Sequence, residues 1–230
     1  MNDTEPPLAR NDAPDQGPIH IQDDYKRWFD LSILVLAHLA LFPVWLVCWT
    51  GIPLIIWLAD RGPIFYRQER VGKNGKVFTV LKFRTMVPYA NDIGPAWTAE
   101  RDKRVTPVGR VLRRTGLDEL PQVLSIWKRD MTLVGPRALS LEEHRELEDG
   151  VPGFSARLRI LPGLTGLAQV HNSTDDSIEK VKYDTEYMWR MNPLLDTWLL
   201  VRSVYNTLTW RWDRRGGKGK PEIRCPSTLR

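Results

Sequence analysis

The chain has 230 residues, long enough for one domain with a real core, and a formal net charge of +5. That balance points to an anionic partner: nucleic acid, acidic lipid or a phosphorylated substrate. Only Cys48, inside an apolar run, and Cys225, in a polar tail, could form a disulfide, which argues against a disulfide scaffold and for a reducing compartment.

Residues 1–24 are rich in Pro, Asp and Asn and short of large apolar side chains, and they read as a disordered tail. An acidic start and a late apolar run exclude a cleavable signal peptide. Leu31 to Leu58 then contains no Asp, Glu, Lys or Arg. As a straight helix it would reach about 42 Å, more than the roughly 30 Å of a hydrocarbon core. Pro43 interrupts it near the middle, and Gly51 and Pro53 interrupt it again. Basic residues flank it on both sides, with Lys26 and Arg27 before and Arg61, Arg67, Arg70 and Lys73 after. Two readings stay open. The segment enters one leaflet, bends at Pro43 and returns to the side it came from, or it crosses as a single tilted span.

Gly72 to Gly75 supplies a turn, and Val77 to Met86 alternates enough to read as a short strand or hairpin. Pro88 to Pro107 is a polar loop. Leu117–Trp127, Leu139–Asp149, Ser177–Arg190 and Leu194–Trp212 read as helices, and Leu161–Val170, with its glycines and proline, reads as a structured loop. The last helix is apolar enough to lie in a membrane interface, although a core helix would look similar. The ten tryptophans cluster near the apolar segments, as expected of side chains with an apolar ring and a wet N–H. The expected fold is α+β and mostly helical. Residues 25–60 form the membrane segment, 61–212 a catalytic part, and 213–230 a basic flexible tail.

The chemistry centres on Asp118-Glu119, at what reads as a helix start. Arg113 and Arg114 precede the pair, and Pro136-Arg137 follows it. With Asp118 as the N-cap, Pro121 falls in the first turn, where its missing N–H costs nothing. Carboxylates in a first turn are favoured by free amides and stay ionised. An ionised Asp can attack phosphorus, an adjacent Glu can help hold a divalent cation, and guanidinium groups can hold phosphate oxygens. An isolated Asp-Glu before a helix would be a cap and nothing more.

These residues sit within a longer pattern: Gln68-Glu69-Arg70-Val71-Gly72, Lys82-Phe83-Arg84-Thr85-Met86, Leu117-Asp118-Glu119-Leu120-Pro121-Gln122, Gly135-Pro136-Arg137, Pro162-Gly163-Leu164-Thr165-Gly166-Leu167-Ala168-Gln169-Val170 and Tyr183-Asp184. In this order, behind a proline-broken apolar segment, the landmarks resemble the bacterial sugar transferase family, the monotopic phosphoglycosyl transferases. The resemblance runs from about Lys26 to about Trp210, and the chain looks like a small form of the family. It implies transfer of a sugar-1-phosphate from a UDP-sugar to undecaprenyl phosphate, with release of UMP. It further implies that Asp118 is the nucleophile, forming a covalent phosphosugar intermediate, and that Glu119 joins it in holding Mg²⁺. Arg113 and Arg137 would lie near the phosphates, Asp184 near the active site, and Pro43 at the bend of a re-entrant membrane helix, with interfacial amphipathic helices around a small catalytic domain. The implied location is the cytoplasmic face of the bacterial inner membrane, in exopolysaccharide, O-antigen or glycoprotein synthesis. A homodimer stays open, and no nucleic acid is expected.

Two positions depart from that pattern. The family usually reads Pro-Arg-Pro where this chain has Pro136-Arg137-Ala138, which predicts a looser turn. It also usually has Arg where Leu161 stands, with Arg157 or Arg159 available to compensate. Lys82 and Arg84, two apart on a strand, would share a face toward anionic headgroups or the carrier phosphate. Arg67 and Arg70 read as topological anchors. His38 sits in the apolar run, and His144 and His171 lack metal-ligand spacing. Two rival functions remain: a membrane-tethered protein that binds anionic lipid or nucleic acid, and a glycosyltransferase that releases UDP. The first is weak because the aromatic residues track the apolar segments and do not interleave with the basic ones.

Overall fold

The computed structural model describes residues 24–90, 92–94, 102–151, 153–171 and 177–209. The expected tails, residues 91 and 95–101 of the Pro88–Pro107 loop, and the end of the last expected helix lie outside the described residues. Helix dominates, with a little sheet.

The apolar segment is two helices, α1 (Lys26–Ala40) and α2 (Phe42–Asp60). The break falls at Leu41, which leaves helical geometry, and Pro43 stands in the first turn of α2, where its missing N–H is harmless. Pro53 lies inside α2. His38 is partnered: its ring stacks on Trp45 at 4.1 Å, and its Nδ1 lies 2.6 Å from the Leu34 carbonyl oxygen.

Both ends of this segment are bonded to the rest of the molecule. Lys26, Asp30 and Leu34, one face of α1, are buried. The Lys26 ammonium is not a surface cation: it pairs with Asp196 at 2.6 Å and donates to the Val134 carbonyl at 2.7 Å and to the Tyr187 hydroxyl. Asp30 accepts from Thr132 Oγ1 at 2.6 Å and from the Leu133 amide at 3.2 Å. At the far end, Asp60 pairs with Arg84. Between these ties α2 is bare. Only Ile56 is buried, while Leu46, Val47, Leu54, Ile55 and Leu58 are exposed. An apolar patch of this extent needs a non-aqueous neighbour.

Next come β1 (Phe65–Val71) and β2 (Val77–Phe83), paired antiparallel, with β4 (Leu139–Ser140) on the other edge of β1. Strand β1 was not anticipated. α3 (Pro107–Thr115) is capped by Thr106, whose side chain accepts from the Gly109 amide at 2.9 Å. The segment expected as one helix over Leu117–Trp127 is a 3₁₀ turn, Leu117–Gln122, followed by α4 (Val123–Trp127). Its cap is Gly116, not Asp118, so Asp118 and Glu119 both lie within the first turn. β3 (Thr132–Val134) pairs in parallel with β5 (Gly163–Thr165), so the expected structured loop contains a strand and then α6 (Leu167–His171). The helix expected from Leu139 begins two residues later, as α5 (Leu141–Gly150), behind β4. α7 (Ser177–Arg190) follows the expected bounds.

α8 (Pro193–Leu208) is apolar on its outer face as well as its inner one. Leu199 is buried in the core beside Asp196, Ser203 and Asn206, while Leu194, Trp198, Val201, Tyr205 and Leu208 face outward. A water-facing helix carries polar residues on its outer face. This face suits a membrane interface.

Candidate active site

Gly116 joins α3 to the 3₁₀ turn with a left-handed φ of 69°, a conformation that suits glycine. The reversal leaves Arg113, in the last turn of α3, close in sequence to Asp118 and Glu119 in the first turn of the next element. Arg113 Nε donates to Thr85 Oγ1 at 2.8 Å. α3 sits hard against this stretch: a Cβ at Gly109 would fall 1.9 Å from the Thr85 carbonyl oxygen, so only glycine fits.

Glu119 is held between two cations. Its Oε1 accepts from Lys82 Nζ at 2.9 Å, reached from β2, and from Arg137 Nη2 at 3.3 Å, reached from the loop after β3. Lys82, Glu119 and Arg137 share a cleft with Arg70, Gln122, Met131, Ala138, Gly163 and Leu164. Two cations thus hold one carboxylate, with Arg70 lining the same cleft and Asp118 adjacent in the chain, an excess of positive charge that suits an anionic ligand. Arg70 is buried, which lowers its pKa to about 10, with help from the nearby Arg137 charge. It remains charged at neutral pH.

The loop bearing Arg137 rests on β5. The Gly135 amide donates to the Thr165 carbonyl at 2.8 Å, and the Gly163 amide donates to the Pro136 carbonyl at 2.8 Å. A Cβ at Gly163 would meet Gly135 N at 2.0 Å, and one at Gly166 would meet the Gly135 oxygen at 2.1 Å. The landmark glycines are therefore a packing requirement of the site. The turn at Ala138 is not loose. Arg70 Nη1 donates to the Ala138 carbonyl at 2.7 Å, and Arg157 Nη2 donates to the Arg137 carbonyl at 2.7 Å.

The structure therefore gathers Lys82, Glu119 and Arg137 into one cleft, with Asp118 and Arg113 on the elements beside it. Arg84 turns instead to Asp60 at the end of α2 and is buried. Asp184, on α7, is buried and meets Arg157 at 2.9 Å, so it stands one layer behind Arg137. Burial raises its pKa, opposed by the Arg157 and Lys180 charges. Pro43 lies in the first turn of α2, away from the cleft residues in sequence. Sequence reasoning missed Arg70 as a lining residue, although it stood within the Gln68–Gly72 landmark.

The bacterial sugar transferase family matches this chain over residues 21–210. The chain belongs to that family. It is a phosphoglycosyl transferase by class. The exopolysaccharide production protein ExoY of Sinorhizobium fredii is 38% identical over 195 residues, covering 78% of this chain and 83% of that protein. The UDP-glucose:undecaprenyl-phosphate glucose-1-phosphate transferase of Caulobacter vibrioides is 35% identical over 192 residues, covering 80% of this chain and 70% of that protein. The enzyme of the same name from Escherichia coli K12 is 35% identical over 186 residues, covering 78% of this chain but only 39% of its own length. The transferase thus spans most of ExoY and less than half of the larger Escherichia coli relative.

Proposed function

We propose that this transferase moves a sugar-1-phosphate from a UDP-sugar to undecaprenyl phosphate and releases UMP. The observation that carries this reading is the cleft itself: Lys82, Arg137 and Arg70 converge around Glu119, beside Asp118, in a molecule whose α2 and α8 present bare apolar faces. A diphosphate with an adjoining lipid substrate matches both features.

In the first step an Asp118 carboxylate oxygen attacks the phosphorus bearing the sugar. The bond from that phosphorus to the bridging oxygen breaks, and UMP leaves with the electron pair. In the second step a phosphate oxygen of the carrier attacks the same phosphorus, the Asp118–phosphorus bond breaks, and a lipid-linked diphosphosugar results. Charge-assisted hydrogen bonds from Arg137, Lys82 and Arg113 to phosphate oxygens would offset the charge that builds in each step. Among the described residues no cluster of three metal-ligating side chains occurs. The Asp118-Glu119 pair still fits Mg²⁺, which takes one or two carboxylates and completes its shell with substrate oxygens and water. Such an ion would neutralise diphosphate charge.

The same reading places α1–α2 in one leaflet of the inner membrane, with the catalytic part on the cytoplasmic face. Support comes from the ties at both ends, Lys26 and Asp30 at one and Asp60 at the other, all to the same body of the protein. A segment that crossed completely would carry one end away from those partners. The basic flanks point the same way through Arg27 and Arg61, although Lys26 is neutralised by Asp196.

The test is incubation with a panel of UDP-sugars, undecaprenyl phosphate and Mg²⁺, with the nucleotide product identified. UMP is the expected product. UDP would make the protein a simple glycosyltransferase, and no product with any sugar would favour a lipid-binding role.

A further inference from the structure

Three consecutive carbonyls at the Arg137 turn are each held by a different element. Pro136 accepts from the Gly163 amide of β5 at 2.8 Å, Arg137 from Arg157 at 2.7 Å, and Ala138 from Arg70 of β1 at 2.7 Å. The middle bond is the one made by a side chain with no place in the cleft. Arg157 lies in a 3₁₀ turn, Phe154–Arg159, with its guanidinium 5.1 Å from the Phe154 ring centroid. It is 4% exposed, and its one atom Nη2 reaches both the Arg137 carbonyl and, at 2.9 Å, the carboxylate of Asp184, itself 2% exposed.

We propose that Arg157, held by Asp184, is a positioning residue that sets where the Arg137 guanidinium meets the phosphates. The inference rests on the reading of Arg137 as a phosphate contact. The physical reason is rigidity. An arginine side chain facing Glu119 can hold a fixed geometry only if its backbone is fixed, and a displacement of about 1 Å in such a group costs on the order of a hundredfold in rate. No proline follows Arg137 to stiffen the turn, so its carbonyls are pinned from outside. Nη2 donates its hydrogen bond to the Arg137 carbonyl, and the Asp184 carboxylate 2.9 Å away holds it there by charge. A lysine placed there keeps a positive charge near Asp184 but loses the planar head that lies against Phe154.

The experiment is a double-mutant cycle on the full-length protein in membrane vesicles, read as UMP release with the best UDP-sugar of the panel. Arg157→Lys alone is expected to lower kcat/KM about tenfold, mainly in kcat. In an Arg137→Ala background the same change should cost less than about twofold, because the group it positions is gone. An equal loss in both backgrounds, or none in either, overturns the proposal while leaving the function intact. Unchanged kinetics in Arg137→Ala itself would remove the reading beneath it. Should Arg157→Lys fail to accumulate, Asp184→Asn in the same two backgrounds decides. That change removes the charge that pairs with Arg157 at nearly constant side-chain size, and a loss of about threefold that disappears with Arg137→Ala is expected. An equal loss in both backgrounds, or none in either, again overturns it.

Discussion

Lys26 and Asp196 form an ion pair at 2.6 Å in which the carboxylate is fully buried and the ammonium almost so. It joins the first residue of α1 to the first turn of α8, and Tyr25 adds a hydrogen bond to the same carboxylate at 2.8 Å. Removing one partner strands the other charge in the interior. Asp196→Ala should therefore destabilise the protein by about 3–5 kcal/mol. Lys26→Met paired with Asp196→Leu should recover much of that loss. Denaturant unfolding in detergent followed by tryptophan fluorescence measures both, and a near-neutral Asp196→Ala would mean that the pair holds nothing together.

Asp118→Asn should abolish turnover in protein that still folds and inserts, because an amide oxygen is a poor nucleophile. Mass spectrometry of wild-type enzyme given UDP-sugar alone should find a phosphosugar on the peptide containing Asp118. Label on another residue would reassign the nucleophile.

Arg113→Ala and Arg137→Ala should each lose about 1.5–3 kcal/mol of charge-assisted hydrogen bonding, or roughly ten- to a hundredfold in kcat/KM. Arg137→Lys should recover only part, because an ammonium cannot make a two-pronged contact to phosphate. Steady-state kinetics decide the matter, and wild-type values in both Ala variants would make these arginines structural.

Topology can be read with a thiol reagent that does not cross membranes, after Cys48 and Cys225 are replaced. Asn11→Cys and Asn91→Cys should both stay unlabelled in intact cells and both label once the cells are opened. Labelling of Asn11→Cys alone from outside would show that the segment spans. Pro43→Leu should favour a straight helix across Leu41, long enough to cross.

His144 is buried, and burial holds its pKa below the ordinary 6.5, outweighing Glu148 at 3.5 Å. A histidine whose folded pKa is depressed adds stability that is present above about 6.5 and lost as the pH falls toward the folded value. Melting temperature should therefore drop on acidification below about pH 6.5. His144→Gln should flatten that part of the profile, and an unchanged profile would place the acid sensitivity elsewhere.

What was legible in the sequence was whatever rested on a local signal. Uncharged residues from Leu31 to Leu58 announced a segment unsuited to water, and Pro43 announced its break. The Asp118-Glu119 pair could be singled out because arginines flanked it. The missing parts depend on partners distant in the chain. Strand β1, Phe-Tyr-Arg-Gln-Glu-Arg-Val, is too polar to look like a strand, and pairing with β2 is what makes it one. β3 and β5 are three residues each and come together because Gly135, just after β3, and Gly163, in β5, allow close approach. Arg157 serves a backbone carbonyl twenty residues away, a role that leaves no pattern in a linear text. Lys26 looked like a surface anchor because nothing nearby in sequence hints at Asp196.

The ties at Lys26 and Asp60 make the α1–α2 segment a loop stitched to the catalytic body at both ends. On the re-entrant topology proposed above, such an element would sense only the leaflet it enters. Bilayers built from longer or shorter acyl chains change total thickness without moving the near headgroup plane relative to that body. Turnover should then be indifferent to chain length and responsive to headgroup charge, the opposite of what a helix matched to the full hydrocarbon width would impose.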